Sequence, residues 1–310
     1  MADPAALLQR LDAALGGRYK IDRSLGRGGM ATVFRAVRTA DGVAVAVKLL
    51  QPELTTAQTA ERFLREIQFT TQLDHPNIVR LLDSGTGDGL VWYVMPLIEG
   101  ESLRERLMWE KLQPVGAAVE LVRQLAMALH HAHGLGLVHR DLKPENVLMA
   151  GDRPLLADFG IARALHDLGQ ARITAAGMPM GTPAYMSPEQ ITGEALDLRS
   201  DVYGLGCLLF EMVGGQPPFV APSAARVMQM HLVAPPPSLG VLRPGVPAAL
   251  ELVAGRALAK EPAARYPTAA AMAEALASVA SATATPAVPP ESRFKQWVGR
   301  LGGKGPAGGR

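Results

Sequence analysis

The period of the apolar residues changes once, near Met95, and that change restricts the chain to a two-part architecture. From Tyr19 to Met95 the segments YKIDRSL, TVFRAV and GVAVAVKLL alternate and are rich in β-branched residues, the period-two pattern of half-buried strands. Glycines separate them, and Asp41-Gly42 is a good hairpin turn. One segment of this half, AQTAERFLREIQFTTQL, places apolar residues at 63, 67 and 73 and reads as a helix. NIVRLLDSG and LVWYVM read as two further strands. Beyond Met95 the spacing turns largely helical, over 115–135, 197–213, 222–232, 247–259 and 268–279. The expected class is α+β and bilobal: a small antiparallel β-sheet lobe with one long helix (19–95) and a larger, mainly helical lobe (96–279).

Two flanking segments stand apart. Residues 1–18 carry leucines at 7, 8, 11 and 15, a helical stripe closed by Gly16-Gly17, and form an N-terminal helical extension. Residues 280–310 are Pro/Ala/Gly-rich and basic, the composition of a disordered tail. Phe294, Trp297 and Leu301 of that tail would share one helical face, with Arg293, Lys295 and Arg300 around it.

Bulk properties exclude several classes of function. With 310 residues the chain can bury a full core in each lobe. Its net charge of +2 gives no global field for nucleic acid. Cys207 is the one cysteine, so no internal disulfide can form; it sits in the apolar run YGLGCLLFEMV and reads as an inert buried thiol. A reducing, cytoplasmic setting fits. No apolar run is long enough to span a bilayer, and the first fifteen residues carry charge where a signal peptide would be apolar.

The residues that carry chemistry lie in four short stretches. LGRGGMATVFRA (25–36) sets glycines between two strands, where missing Cβ atoms let backbone amides approach an anion. Gly26 and Gly28 fit a GxGxxG pattern, with Ala31 in the third place, yet a hairpin turn alone would also favour glycine. A strand follows instead of a helix, which disfavours a dinucleotide-binding βαβ unit. Lys48 ends VAVAVK in a chain with few lysines. It either reaches solvent or is a fixed cation for phosphate oxygens, and Glu66 on the following helix is then the best candidate for its anionic partner. VHRDLKPENVLM (138–149) crowds Asp141, Lys143 and Asn146 into one loop, and LLADFGIAR adds Asp158 beside the permissive Gly160. Phosphoryl transfer needs a carboxylate to accept the hydroxyl proton, cations on the transferring oxygens, and hard oxygen ligands for a metal ion. Each Asp alone reads as a turn residue; together, in this order, they read as a reaction centre.

These stretches, with GTPAYMSPE and DVYGLG, resemble the protein-kinase signature. LGRGGMATVFRA, DFGIAR and GTPAYMSPEQ are similar to the eukaryotic-type Ser/Thr protein kinases of bacteria, and the resemblance covers about residues 19–279. It implies a bilobal kinase-like fold and the following roles. Gly26, Gly28 and neighbouring amides cover the ATP phosphates, and Leu25 and Val33 close on the adenine. Lys48 holds the phosphates and pairs with Glu66. Met95 is the gatekeeper, the Pro96 carbonyl and the Ile98 N–H bond the adenine, and Ala46 and Leu148 sandwich it. Asp141 is the catalytic carboxylate and Lys143 the γ-phosphate cation. Asn146 and Asp158 hold Mg²⁺, with Mn²⁺ as the alternative, Thr182 belongs to the substrate shelf, and Glu189 pairs with Arg265. SPE stands where the family usually has APE, a one-oxygen change.

Partners follow from the same resemblance; regulation is read from the residues beside the centre, with an unmodified Thr174 as the alternative. Arg140 is suited to pair with a phosphate on the segment from Asp158 to Glu189, where Thr174 is the best-placed hydroxyl, phosphorylated in trans by a transient homodimer. Protein substrates with Ser or Thr and ATP are the expected partners. The histidines of HHAHGLGLVH invite a metal reading, but no acidic or cysteine ligand completes a set; a helix end and a packing role for His139 is the better one. Two other functions compete with this one: a scaffold without activity, which has no need to keep Lys48, Glu66, Asp141, Asn146 and Asp158 together, and a small-molecule kinase, against which the GTPAYMSPE shelf argues.

Overall fold

A computed structural model describes residues 4–29, 31–52, 57–159 and 183–283; of several side chains of the second helix, Glu66 among them, only the backbone is described. The small lobe comprises α1 (Pro4–Leu15), β1 (Tyr19–Arg27), β2 (Ala31–Arg38), β3 (Ala44–Leu50), α2 (Ala57–Thr70), β4 (Asp83–Gly87) and β5 (Leu90–Pro96). Its five strands form an antiparallel sheet in the order β1-β2-β3-β5-β4. Asp88 and Gly89 join β4 to β5 with φ of 52° and 71°, the two positive values of the tight hairpin turn that matches strand twist.

Both faces of this sheet are covered, which explains why LVWYVM is apolar without a break. On one face Leu90, Trp92, Val94, Val45, Val47, Leu49 and Phe34 pack against Leu11 and Leu15 of α1. On the other, Val91, Tyr93, Leu50 and Ala31 pack against Phe63 and Ile67 of α2. The leucine stripe of residues 1–18 is thus a helix whose buried face is part of the small-lobe core. Leu11 and Leu15 are fully buried, each stabilising by about 2 kcal/mol.

NIVRLLDSG is only partly a strand, since pairing begins at Asp83. The segment before it is held by the other lobe: Val79 N–H donates to Leu156 O, Leu156 N–H to Asn77 O, and the Asn77 amide to Pro154 O at 2.8 Å. Ile78 packs into the large-lobe core, Leu81 against the α2 side of the small lobe, and Leu82 is exposed, so the run has no single strand face.

The large lobe contains β6 (Glu101–Ser102), α3 (Leu103–Trp109), α4 (Val115–Gly134), β7 (Val147–Ala150), β8 (Arg153–Leu156), α5 (Pro188–Thr192), α6 (Leu198–Gly214), α7 (Ala224–Val233), α8 (Leu239–Leu242), α9 (Ala248–Ala257) and α10 (Ala269–Thr283). The strands make a three-stranded sheet in the order β6-β7-β8. α6 is buried over nearly its whole circumference, as expected of a helix apolar all round, and α4, α9 and α10 pack around it. The five long helices fall where the apolar spacing puts them, within two residues at most ends; α10 runs on to Thr283. The spacing does not reveal α3, α5, α8 or the three short strands. For α3 and α5 a different signal exists: Ser102 with Glu105 forms a capping box, and at the start of α5 Ser187 N–H donates to the Gln190 side chain at 2.9 Å.

Candidate active site

The register of the small-lobe sheet builds one wall of the site. Gly26, Val33, Lys48 and Tyr93 form a single row across β1, β2, β3 and β5, and Ala46 with Met95 forms the next. Directly opposed residues project to the same side, so this wall is the face turned away from α1. Leu148, half-buried between buried Val147 and Met149 on β7, alternates towards the cleft from below. Leu25 is exposed at the rim, and Pro96 and Ile98 are half-buried beyond Met95.

The glycines of the β1–β2 turn are not demanded by packing among the described residues. A Cβ built on Gly26 or Gly29 meets nothing within 4 Å, and on Gly28 it makes only ordinary contact with Ala31 O. None of the three has a positive φ. The open space on this turn suits a partner from outside the chain, such as phosphate oxygens met by backbone amides.

Across the cleft, Asp158 follows β8 in the left-handed region at φ 66°, a conformation that costs a non-glycine residue about 1 kcal/mol or more. Lys48 Nζ donates to its Oδ2, and Tyr93 Oη to its Oδ1 at 2.7 Å. Burial pushes the Asp158 carboxyl up, but the charge and hydrogen bond of Lys48 outweigh it and hold the group below its ordinary value. The partner observed for Lys48 is therefore Asp158; Glu66 lies on α2, with its side chain outside the described residues.

Asp141, Lys143 and Asn146 meet in the loop before β7. Asp141 Oδ2 accepts from Lys143 Nζ at 2.6 Å and from Asn146 Nδ2 at 3.0 Å, and Nδ2 also donates to Asp141 O at 2.7 Å. With its nitrogen committed, Asn146 has its oxygen end left as a neutral ligand. Together with the Asp158 carboxylate this donor set fits Mg²⁺, which takes one or two protein oxygens and completes its octahedron with phosphate and water.

The loop is held from beneath by Asp201 of α6, a residue sequence reasoning did not assign. Its buried carboxylate accepts from His139 N at 2.8 Å, Arg140 N at 2.9 Å and His133 Nε2 at 2.8 Å. Burial raises its pKa, but the His133 contact and the other donors outweigh that and leave it lowered. An acid within a largely apolar helix is the signal that could have found it, a signal it shares with Glu211 of the same helix. His139 is fully buried, bonds Ala157 O at 2.9 Å and meets Phe159 edge-on, the packing role expected of it. His133 is committed to Asp201 and His131 lies beside His75 with the rings tilted by 35°; among the described residues no group of three or more His, Cys, Asp or Glu could hold a metal ion.

Glu189 and Arg265 make a bidentate pair at 2.7 and 2.8 Å, with Arg265 wholly buried. Arg140 adopts φ 69°, and its carbonyl accepts from Gln190 at 2.6 Å. Thr174 and Thr182 lie outside the described residues. Cys207 is buried, and burial pushes its thiol well above the ordinary range.

The family described as "Protein kinase domain" matches residues 19–272. The serine/threonine-protein kinase PknD of Mycobacterium tuberculosis is 43% identical over 254 residues, covering 81% of this chain and 38% of that protein. PknJ of Mycobacterium bovis, also a serine/threonine-protein kinase, is 39% identical over 281 residues, covering 88% and 47%. A probable serine/threonine-protein kinase PknB of Bifidobacterium longum is 38% identical over 270 residues, covering 83% and 39%. The chain thus spans less than half the length of these relatives. Among solved structures, Rad53 1–466 in complex with AMP-PNP superposes with a TM-score of 0.70 at 24% identity, over 86% of this chain and 67% of that one, a likeness of fold. With two lobes meeting at Lys48 and Asp158 and the family matched over 19–272, the chain belongs to the protein kinase family.

Proposed function

We propose that this chain transfers the γ-phosphoryl group of ATP to Ser and Thr hydroxyls of proteins. The observation that carries the reading is the convergence of Lys48 from the small lobe with Asp158 from the large lobe, in a chain whose Asp141, Lys143 and Asn146 also share one loop. The serine/threonine-protein kinases that are 38–43% identical to this chain support it, and the AMP-PNP bound to Rad53 agrees with a nucleotide cleft.

In this reading the Asp141 carboxylate accepts the proton of the acceptor hydroxyl, within reach of Lys143, which neutralises the transferring oxygens. Lys48 leaves Asp158 for the nucleotide phosphates. Asp158 and the oxygen of Asn146 would hold Mg²⁺, which supplies positive charge on the phosphate oxygens. The β1–β2 turn, with Gly26 and Gly28, covers the phosphates. Leu25, Val33, Ala46, Met95 and Leu148 enclose the adenine, which bonds the Pro96 carbonyl and the Ile98 N–H. Glu66 pairs with Lys48 once Asp158 is engaged, and Thr182 shapes the protein-substrate shelf. Thr174 is phosphorylated by a second copy in a transient dimer, and Arg140 binds the product. The setting is the cytoplasm; among the described residues no helix is long and apolar enough to cross a membrane.

The test is incubation with radiolabelled ATP and Mg²⁺ or Mn²⁺, with and without a generic basic protein, beside Lys48→Met. Label on protein Ser or Thr, lost in the variant, is expected; equal label in both proteins, or none in either, refutes the reading. Mass spectrometry of the product locates phosphate on residues 161–182, and full activity without phosphate there removes the role given to Thr174.

A further inference from the structure

Lys48 and Tyr93 are direct cross-strand partners on β3 and β5, with Lys48 Nζ 5.9 Å from the Tyr93 ring centre. Both donate to one carboxylate: Lys48 to Asp158 Oδ2, Tyr93 to Oδ1 at 2.7 Å. Tyr93 is 3% exposed and otherwise sits among Leu50, Phe63, Ile67 and Val91, its ring 6.2 Å from that of Phe63 on α2. Packing at this position asks only for a large apolar ring, which phenylalanine supplies. A hydroxyl buried there costs free energy unless it has a partner, and its partner is the carboxylate assigned above to the metal.

We propose that Tyr93 is a positioning residue for Asp158. By holding Oδ1 it leaves Oδ2, the oxygen Lys48 occupies here, as the one presented to a divalent cation. The inference rests on the reading of Asp158 as a metal ligand. The two donors differ in what they can do next. Lys48 is a flexible chain that can transfer to phosphate oxygens, whereas the Tyr93 ring is wedged between β5 and α2 and cannot follow. One oxygen is therefore released when nucleotide enters, and the other stays bound.

The consequence is discrimination by cation size. Ca²⁺ takes six to eight oxygens and accepts both oxygens of one carboxylate, while Mg²⁺ demands a near-ideal octahedron of six. A carboxylate with one oxygen already engaged is the poorer ligand for Ca²⁺ and nearly unchanged for Mg²⁺. Tyr93 is thus a determinant of metal selectivity acting through Asp158, supplied by strand register rather than by the loop that carries the ligand.

The test compares wild type with Tyr93→Phe, which keeps the ring and its contact with Phe63. A fluorescent, non-hydrolysable ATP analogue is titrated into each protein with Mg²⁺ alone and with Ca²⁺ alone, and the ratio of the two dissociation constants is taken. The ratio is expected to move towards Ca²⁺ by on the order of tenfold, the strength of one hydrogen bond to a charged group. An unchanged ratio, or a move towards Mg²⁺, overturns the proposal. Tyr93→Met is the second variant should Tyr93→Phe fold poorly, as read by its thermal midpoint without metal; it too must shift the ratio. Asp158→Asn separates the two readings: if metal strengthens analogue binding equally with and without that carboxylate, the metal assignment of Asp158 itself fails.

Discussion

Replacing Arg265 by Met tests how α5 is anchored to the large lobe through Glu189. The guanidinium makes five hydrogen bonds: two to Glu189, and one each to the carbonyls of Ala259, Lys260 and Arg199. It also lies over the Tyr203 ring at 4.9 Å. Methionine fills much of the volume but leaves the Glu189 carboxylate buried with Ser200 as its remaining side-chain partner. Removing one member of a buried ion pair costs about 3–5 kcal/mol, and three carbonyls losing a donor put the value at the upper end. In a chain of this size that lowers the thermal midpoint by roughly 10 °C. The assay is urea unfolding followed by far-ultraviolet circular dichroism. Glu189→Leu/Arg265→Met, which removes both charges, should recover part of the loss. The pH dependence should also reverse sign. In the wild type Glu189 is held low: burial raises it, but Arg265 and Ser200 outweigh this. Its contribution is therefore present above the unfolded carboxyl value and lost as pH falls. In Arg265→Met the same carboxyl is raised, so that variant should gain stability on mild acidification. A loss below about 1 kcal/mol, or a double variant worse than the single, would refute the reasoning.

Asp141→Asn should lower kcat by about 10²–10⁴-fold with little change in the KM for ATP, because a proton acceptor acts in the transition state; equal losses in both would remove that role. His231 is fully buried and accepts or donates at Tyr203 Oη, 2.7 Å away, and burial with the charge of Lys260 lowers it to about 4. The unfolded chain takes up this proton near pH 6.5 and the folded one only near 4, so stability should fall from pH 7 to pH 5 by about 2 kcal/mol. His231→Asn, which cannot titrate, should flatten that slope in urea titrations at the two pH values. Gly100→Ala places a Cβ 2.0 Å from Met149 O, a backbone clash between the segment after Pro96 and β7. A stability loss of about 1–3 kcal/mol is expected in the same assay, and a neutral result would show that the two segments move apart freely.

Much of the fold was legible because long elements with one buried face leave a period in the sequence. α2 and α4 are such elements, α6 shows instead as an apolar run buried all round, and in β2 buried Phe34 and Ala36 alternate with half-buried Val33, Arg35 and Val37. NIVRLL reads as a strand because its apolar residues are close together in sequence, yet Ile78 packs into the large lobe and Leu81 into the small one. α3 and α5 escaped because they are too short to show a period, though the Ser102–Glu105 capping box and the Ser187-x-x-Gln190 spacing mark where they start. The site was legible as residue types but not as contacts. Asp141, Lys143 and Asn146 are close in sequence and their meeting was expected, whereas the Lys48–Asp158 pair joins residues 110 positions apart. Tyr93 was hidden for another reason. Inside LVWYVM it reads as one more large apolar residue, and only strand register shows that its hydroxyl reaches a carboxylate.

The seating of α1 bears on where this kinase domain begins. A fragment started at Tyr19, the first residue of the family match, would strip the cover from Phe34, Val47, Trp92 and Val94, which α1 now shields. Arg10, which holds Asp88 at the tip of the β4–β5 hairpin, would go with it. Such a fragment would present a sticky aromatic and aliphatic surface on the side opposite the nucleotide cleft, so its behaviour in solution would report on the missing helix before it reported on catalysis.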